Sequence, residues 1–244
     1  MLDAARTPWP DIKTAIDRGL IAVLPVGAVE QHGAHLPLLT DTVMATGVAR
    51  RIAEGLDALL LPAIAYGEAW NNEGFPGTLS ISPNTLRHTV LDIGTGLHRM
   101  GVKALIVING HFGNREPVAL AARALKLEKS FPVMHLDYPK LEQFAKQICT
   151  SEPASHGFFH ADEVETAIML ALAPESVDMS RAAAEYPVFP ELFGTEPIML
   201  HEFNTSGVFG DPRPATAEKG EALISRIAEE SLRLIALFKA RHGI

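Results

Sequence analysis

Apolar positions along this chain follow two rhythms. Short unbroken runs at residues 20–26 (LIAVLPV) and 103–108 (KALIVI) are rich in branched side chains and end in loop-forming residues. That pattern predicts strands buried on both faces, as in a parallel sheet. Residues 58–65 and 132–136 are weaker strand candidates, the first because Pro62 cannot donate to a ladder. Between these runs the apolar positions recur at helical spacing. Helices are predicted over residues 41–55, 82–100, 116–130, 161–173 and 216–241. Alternation of this kind predicts an α/β fold, a three-layer α/β/α arrangement around a mostly parallel central sheet. In such sheets ligands gather at the carboxyl ends of the strands, so the loops after residues 26 and 108 are where chemistry is expected.

Composition narrows the class. The chain has 244 residues, 47% of them apolar and 20% charged, and no linker or repeat divides it, so one domain over residues 1–244 is expected. Lys plus Arg is 21 against 29 for Asp plus Glu, a net charge of −8. This argues against a sequence-independent grip on nucleic acid. The lone cysteine, Cys149, permits no intrachain disulfide and reads as a small buried hydrophobe. The first residues lack the basic start and apolar stretch of a signal peptide, and no apolar run reaches the roughly 20 residues of a membrane helix. A cytoplasmic protein that engages neither membrane nor nucleic acid is expected.

Three polar clusters stand out. The first follows the first strand. Glu30 and His32 are two residues apart, so extended backbone sends both side chains to one face. Asp41 comes where a helix should begin, as its cap (a place open to Thr40 also) or as a ligand. A carboxylate, an imidazole and a second carboxylate together suit a borderline divalent ion such as zinc or manganese. His35 reads either as a partner to a ligand or as a substrate contact. The second cluster, Asn109-Gly110-His111-Phe112-Gly113-Asn114, follows the second strong strand. His111 supplies the imidazole that Glu30 and Asp41 lack. The third opens a helix: His160 falls near its start, Asp162 and Glu163 read as a charged first turn facing water, and Glu165 precedes an apolar stretch and turns inward beside a metal. A fourth segment, residues 207–214, is a loop by its glycines and prolines. It reads either as an active-site or subunit-contact loop or as a rigid turn.

Taken in order, these segments resemble the creatininase (creatinine amidohydrolase) family. The residues that carry the resemblance are Val26 to Pro37, Thr40-Asp41-Thr42, Phe75-Pro76-Gly77-Thr78, Asn109-Gly110-His111, His160 to Thr166, Ser206 to Pro212 and Ala215 to Gly220. The resemblance implies a metal-dependent hydrolase with two divalent ions (zinc, manganese or iron), assembled as a homo-oligomer, often a hexamer, and acting on a small molecule. Glu30, Asp41 and His111 would hold one ion, and His32 and Asp41 the other, with Asp41 shared. In creatininase a glutamate two residues after the Asn-Gly-His histidine completes the second site. Gly113 stands there in this chain, and Glu165 is the replacement expected. His160 resembles the catalytic histidine, which would protonate a leaving nitrogen with Glu165 close by. The implied reaction is hydrolysis of a C–N bond in an amide or cyclic amide. Opening of an oxidised inositol ring at a C–C bond, or removal of a formyl group from a formamide, are alternatives. Creatininase covers its substrate with tryptophans from a mobile loop; Trp9 and Trp70 lie outside the matching region, residues 136–159. His35, Trp70 and Phe112 are the substrate contacts expected instead.

Overall fold

A computed structural model describes residues 1–244. Five strands, β1 (Leu2–Asp3), β2 (Ala22–Val26), β3 (Leu59–Leu60), β4 (Leu105–Asn109) and β5 (Val133–Leu136), form one parallel sheet in the order β1-β3-β2-β4-β5. The helices are α1 (Trp9–Ile16), α2 (Thr40–Leu56), α3 (Pro83–Met100), α4 (Arg115–Lys129), α5 (Leu141–Ile148), α6 (Glu163–Leu172) and α7 (Ala217–His242). Side chains alternate along each strand, and the two faces are covered separately. Val23, Ile106 and Ile108 pack under α2, α5, α6 and α7, whereas Leu24, Val26, Leu105 and Val107 pack under α3 and α4. The expected three-layer α/β/α architecture is therefore observed. Every residue of β2 and β4 is buried, and full burial of a Leu or Ile side chain is worth about 1.5–3 kcal/mol. These two strands anchor the fold.

Strand order fixes where the site lies. From β2 the chain passes through α2 to β3 on one side, then through α3 to β4 on the other. The crevice between the carboxyl ends of β2 and β4 is a topological switch point. The register sets Val26 beside Asn109, so the two polar loops emerge side by side.

Several boundaries differ from the sequence expectation. The strand predicted over 58–65 shrinks to Leu59–Leu60, since Pro62 lacks the next N–H, and pairing resumes only as an isolated bridge from Val26 to Ile64. β1, α1 and α5 were not predicted. Each is short, ten residues or fewer by its bounds, and such segments carry little periodic signal. Asp41 is not a helix cap. Leu39 occupies that place without a side-chain bond, Thr40 bonds to the Pro37 carbonyl at 2.7 Å, and the Asp41 carboxylate turns inward. Asp162 and Glu163 do not face water either. Asp162 caps α6, accepting from the N–H groups of Val164 and Glu165. Glu163 is fully buried against Lys219 of α7, 2.5 Å away, and also accepts from the N–H groups of Thr150 and Ser151. Cys149 is half-buried, its thiol pushed up to about 12 by burial and the nearby Glu163, consistent with a packing role.

Candidate metal centre

Loop geometry after β2 carries the first donors inward. Glu30 and His32 are 1% exposed, and the His32 ring folds back so that Nδ1 lies 3.1 Å from the Glu30 carbonyl oxygen. That bond puts the ring proton on Nδ1 and turns Nε2 toward the cluster. His111, after β4, is held the same way from the other end: Nε2 donates to the Glu68 carbonyl oxygen at 2.8 Å, leaving Nδ1 facing inward. Outer hydrogen bonds of this kind are how proteins orient histidine ligands. Asp41, at the start of α2, sits between the two rings, with Oδ1 3.2 Å from His32 Nε2 and Oδ2 3.1 Å from His111 Nδ1. Glu30 Oε1 lies 3.0 Å from His111 Nδ1, and Glu165 Oε2 lies 3.6 Å from His32 Nε2. Glu165 is aimed by its own helix start: Ala161, in the left-handed region at φ 52°, turns its N–H onto Oε2 at 2.6 Å.

Two overlapping triads share Asp41, and a third group, Glu30, His32 and His160, lies alongside them. Donor atoms of Glu30, Asp41 and His111 lie within 4.8 Å of one another, and so do those of His32, Asp41 and Glu165. Whether divalent ions fit can be judged from the polar atoms left over. His32 Nε2 and Asp41 Oδ2 are buried with no hydrogen-bond partner, and three buried carboxylates face two imidazoles. Buried groups of this kind are costly unless paired or coordinated. The donor set, carboxylate oxygen and imidazole nitrogen, is that of zinc and manganese sites. The residues present fit a pair of such ions.

The electrostatics describe the same cluster with protons in place of cations. Burial works to lower the His32 and His111 imidazoles, but the carboxylates outweigh it: His32 is pushed up to about 10 and His111 well above its usual range. Burial likewise works to raise Asp41, yet the two histidines hold its carboxyl well below the usual carboxylate range. Glu165 is pushed up to about 8, chiefly by burial, which His32 only partly offsets.

His160 stands beside the triads. Its Nδ1 is 3.7 Å from Glu30 Oε1 and its ring centroid 4.5 Å from that of His32. A directed network fixes its tautomer. The Gly33 N–H donates to Gln31 Oε1, so Gln31 Nε2 donates to Asn72 Oδ1 at 2.9 Å and to His160 Nε2 at 2.8 Å. Asn72 in turn donates to Glu30 Oε2. With Nε2 accepting, the His160 proton sits on Nδ1. Burial, then the charge of His32, keep this imidazole well below its usual range, and so neutral. The 207–214 loop serves the site from behind: Gly207 packs on Gln31, and the Phe209 N–H donates to the His160 carbonyl oxygen at 3.0 Å.

The expected substrate contacts fare unevenly. Phe112 lines the mouth of the pocket over the cluster, with the Arg115 guanidinium 4.1 Å above its ring. His35 does not reach that lining. It is buried, bonded to Thr166 Oγ1 at 2.9 Å, and braces α6 beside Glu165. Trp70 lies outside the pocket too, along a shallow depression with residues 193–198, while its neighbours Asn71 and Asn72 reach the lining. The arrangement also brings in Gln31, Asp137 and Tyr138, none of which the sequence singled out, and Asn72, from the 70–73 segment that the sequence places at the pocket edge. Gln31 sits inside the Glu30–His32 motif and could have been suspected there; Asn72 had no spacing signal of its own.

Comparison with known proteins bears on this geometry. Residues 5–235 match the creatininase family, described as creatinine amidohydrolase. The chain belongs to the creatininase family. Creatinine amidohydrolase from Pseudomonas putida is 31% identical, over 88% of this chain and 89% of that one. A mycofactocin precursor peptide peptidase from Mycobacterium ulcerans is 31% identical, over 93% of this chain and 85% of that one. A crystal structure of creatinine amidohydrolase superposes with a TM-score of 0.86 at 29% identity, covering 97% of both chains. Solved creatininases include a manganese form and a zinc–zinc form. This creatininase-family chain is accordingly a metal-dependent hydrolase of amide type. A 3-dehydro-scyllo-inosose hydrolase from Thermotoga maritima shares 27% identity over 68% of the chain, so the ring-opening alternative is not favoured. No helix is long and apolar enough to cross a membrane.

Proposed function

We propose that this protein hydrolyses the C–N bond of a small amide or cyclic amide, with Glu30, Asp41 and His111 holding one divalent ion and His32, Asp41 and Glu165 the other. The observation that carries this reading is the sharing of Asp41 between two buried donor triads at the switch point of the sheet. Bound there, a divalent pair supplies a hydroxide nucleophile at neutral pH and polarises the carbonyl under attack. The chain's own groups do the rest. Glu165 takes the place that Gly113 leaves without a side chain. His160 presents its Nδ1–H toward the pocket, where the neutral ring gives a hydrogen bond that orients the departing nitrogen, the proton that nitrogen gains coming from the attacking water, while Gln31 holds the ring in that tautomer. Phe158 and Phe159 give the pocket apolar cover, and Asn71 and Arg115 give its mouth polar contacts.

Creatinine is not the substrate we propose, since neither Trp9 nor Trp70 reaches the pocket lining. We read the chain as one catalytic domain that works in the cytoplasm as an assembly of like subunits. Membership of the creatininase family supports the assembly, and the single cysteine, unable to form an intrachain disulfide, supports the compartment. The test is metal analysis of the purified protein, then a screen of amides, cyclic amides, formamides and lactones. Two equivalents of zinc or manganese with turnover of an amide is the expected result. Turnover confined to oxidised inositols, or a protein that takes up no divalent ion, overturns it.

A further inference from the structure

Tyr138 follows β5 and lines the pocket over the metal-binding cluster. Its hydroxyl oxygen is buried with no hydrogen-bond partner, although a phenol carries both a donor and an acceptor. Its backbone is also out of place. The φ of 40° lies in the left-handed region, uncommon for a bulky aromatic residue, and Pro139 follows, which presses its predecessor toward extended conformations. Strain of this sort persists where the surroundings hold it, and it gathers at sites that bind or react. Space beside the hydroxyl is kept open by Gly110. A Cβ there would come 3.0 Å from the Tyr138 oxygen and 2.6 Å from the Asp41 carbonyl oxygen.

A phenylalanine would fill the same volume without the cost of a buried, unpaired hydroxyl. The missing partner therefore belongs to something the pocket receives. We propose that the Tyr138 hydroxyl donates a hydrogen bond to the carbonyl oxygen of the bound amide substrate, and keeps that bond as the oxygen gains negative charge. The inference rests on the amide-hydrolase reading above. The proton stays on the tyrosine throughout, so the residue acts as an oxyanion donor and not as an acid.

The experiment compares the full zinc-loaded chain with its Tyr138→Phe variant. Methylphosphonate, an inert tetrahedral oxyanion, is titrated by calorimetry. Zinc content, thermal stability of the metal-free protein, and kcat on an amide that the wild type turns over are measured beside it. The expected pattern is unchanged zinc content, metal-free stability equal to or above wild type, and about tenfold or greater loss in both methylphosphonate affinity and kcat. Wild-type affinity and kcat in the variant overturn the inference. A variant that loses zinc, melts earlier without metal or fails to fold also overturns it, because the hydroxyl then has a structural partner. A wild-type protein that binds no zinc sinks the amide-hydrolase reading itself, a different failure from a zinc-loaded variant that behaves as wild type.

Discussion

Replacing Gln31 with Glu exchanges one NH₂ for one oxygen at the hub of the buried network, and its consequences can be worked out bond by bond. The Gly33 N–H keeps its acceptor. Asn72 Oδ1 and His160 Nε2 both lose the donor they have at 2.9 and 2.8 Å. His160 recovers by taking up a proton, since Nε2–H can then donate to the new carboxylate. A carboxylate in hydrogen-bond contact raises the proton affinity of an imidazole about tenfold or more. Asn72 has no such recourse: turning its amide only moves the defect onto Glu30, which accepts its Nδ2 at 2.8 Å. One buried acceptor without a donor costs about 1–3 kcal/mol. For a chain of this length that is roughly 2–4 °C in Tm per kcal/mol. Gln31→Glu is therefore expected to melt several degrees earlier at pH 8. The new His160 contact stabilises only while the ring is protonated, because it raises the variant's folded pKa above that of the wild-type ring, which burial and His32 hold well below the usual range. That gain is present in acid and lost as pH rises, so the deficit should narrow at pH 6. Thermal unfolding at the two pH values, with an NMR titration of the His160 ring, checks both halves. If the His160 resonance titrates as in wild type and the melting deficit is the same at both pH values, the tautomer assignment is wrong.

Four further outcomes follow. Asp41→Ala, which removes the donor common to both triads, should abolish metal content and turnover together; metal analysis showing two retained ions would refute the shared role. Loading zinc should release protons, because His32 and His111 hold them in the metal-free cluster. Apparent metal affinity should then fall as pH is lowered, which calorimetry in buffers of different ionisation enthalpy will detect. Burial pushes the Asp162 carboxyl up to about 7 from 3.8. The stability gained by keeping it protonated is full below pH 4 and lost as pH rises to about 7. Asp162→Asn, still a good cap, should erase that slope in denaturant titrations across pH 4–8. Gly220→Ala would push a methyl into the Ala167 carbonyl where α7 crosses α6. It should cost about 1–3 kcal/mol, with zinc loss from the Glu165 side, seen as one equivalent instead of two.

Much of this was legible in the sequence because it was local. The runs at 20–26 and 103–108 lie in strands buried along their whole length, and a continuous apolar run can hardly mean anything else beside helical periodicity. Glu30, His32, Asp41, His111 and Glu165 could be read as donors because each stands at a strand end or helix start that the pattern located. What could not be read was set by three-dimensional convergence. Asp162 and Glu163 look like a wet first turn until α7 arrives with Lys219. Asn72 is 41 residues from the Gln31 side chain it serves. Tyr138 reveals itself only through a dihedral angle and a hydroxyl left without company. His35 has the chemistry of a ligand but points at Thr166, a direction no spacing rule encodes.

Gly113 deserves a last look for what it forbids. A methyl built on it would overlap the Glu68 carbonyl oxygen and come 2.9 Å from His111 Nε2, so this stretch of loop is pressed flat against its neighbour, backbone on backbone. Installing a longer residue at that point would evict Glu68 and, with it, the grip that keeps the His111 ring turned the right way. Attempts to retune this enzyme's taste in metals should leave the loop alone and work through α6, whose Glu165 belongs to a single triad and is not shared as Asp41 is.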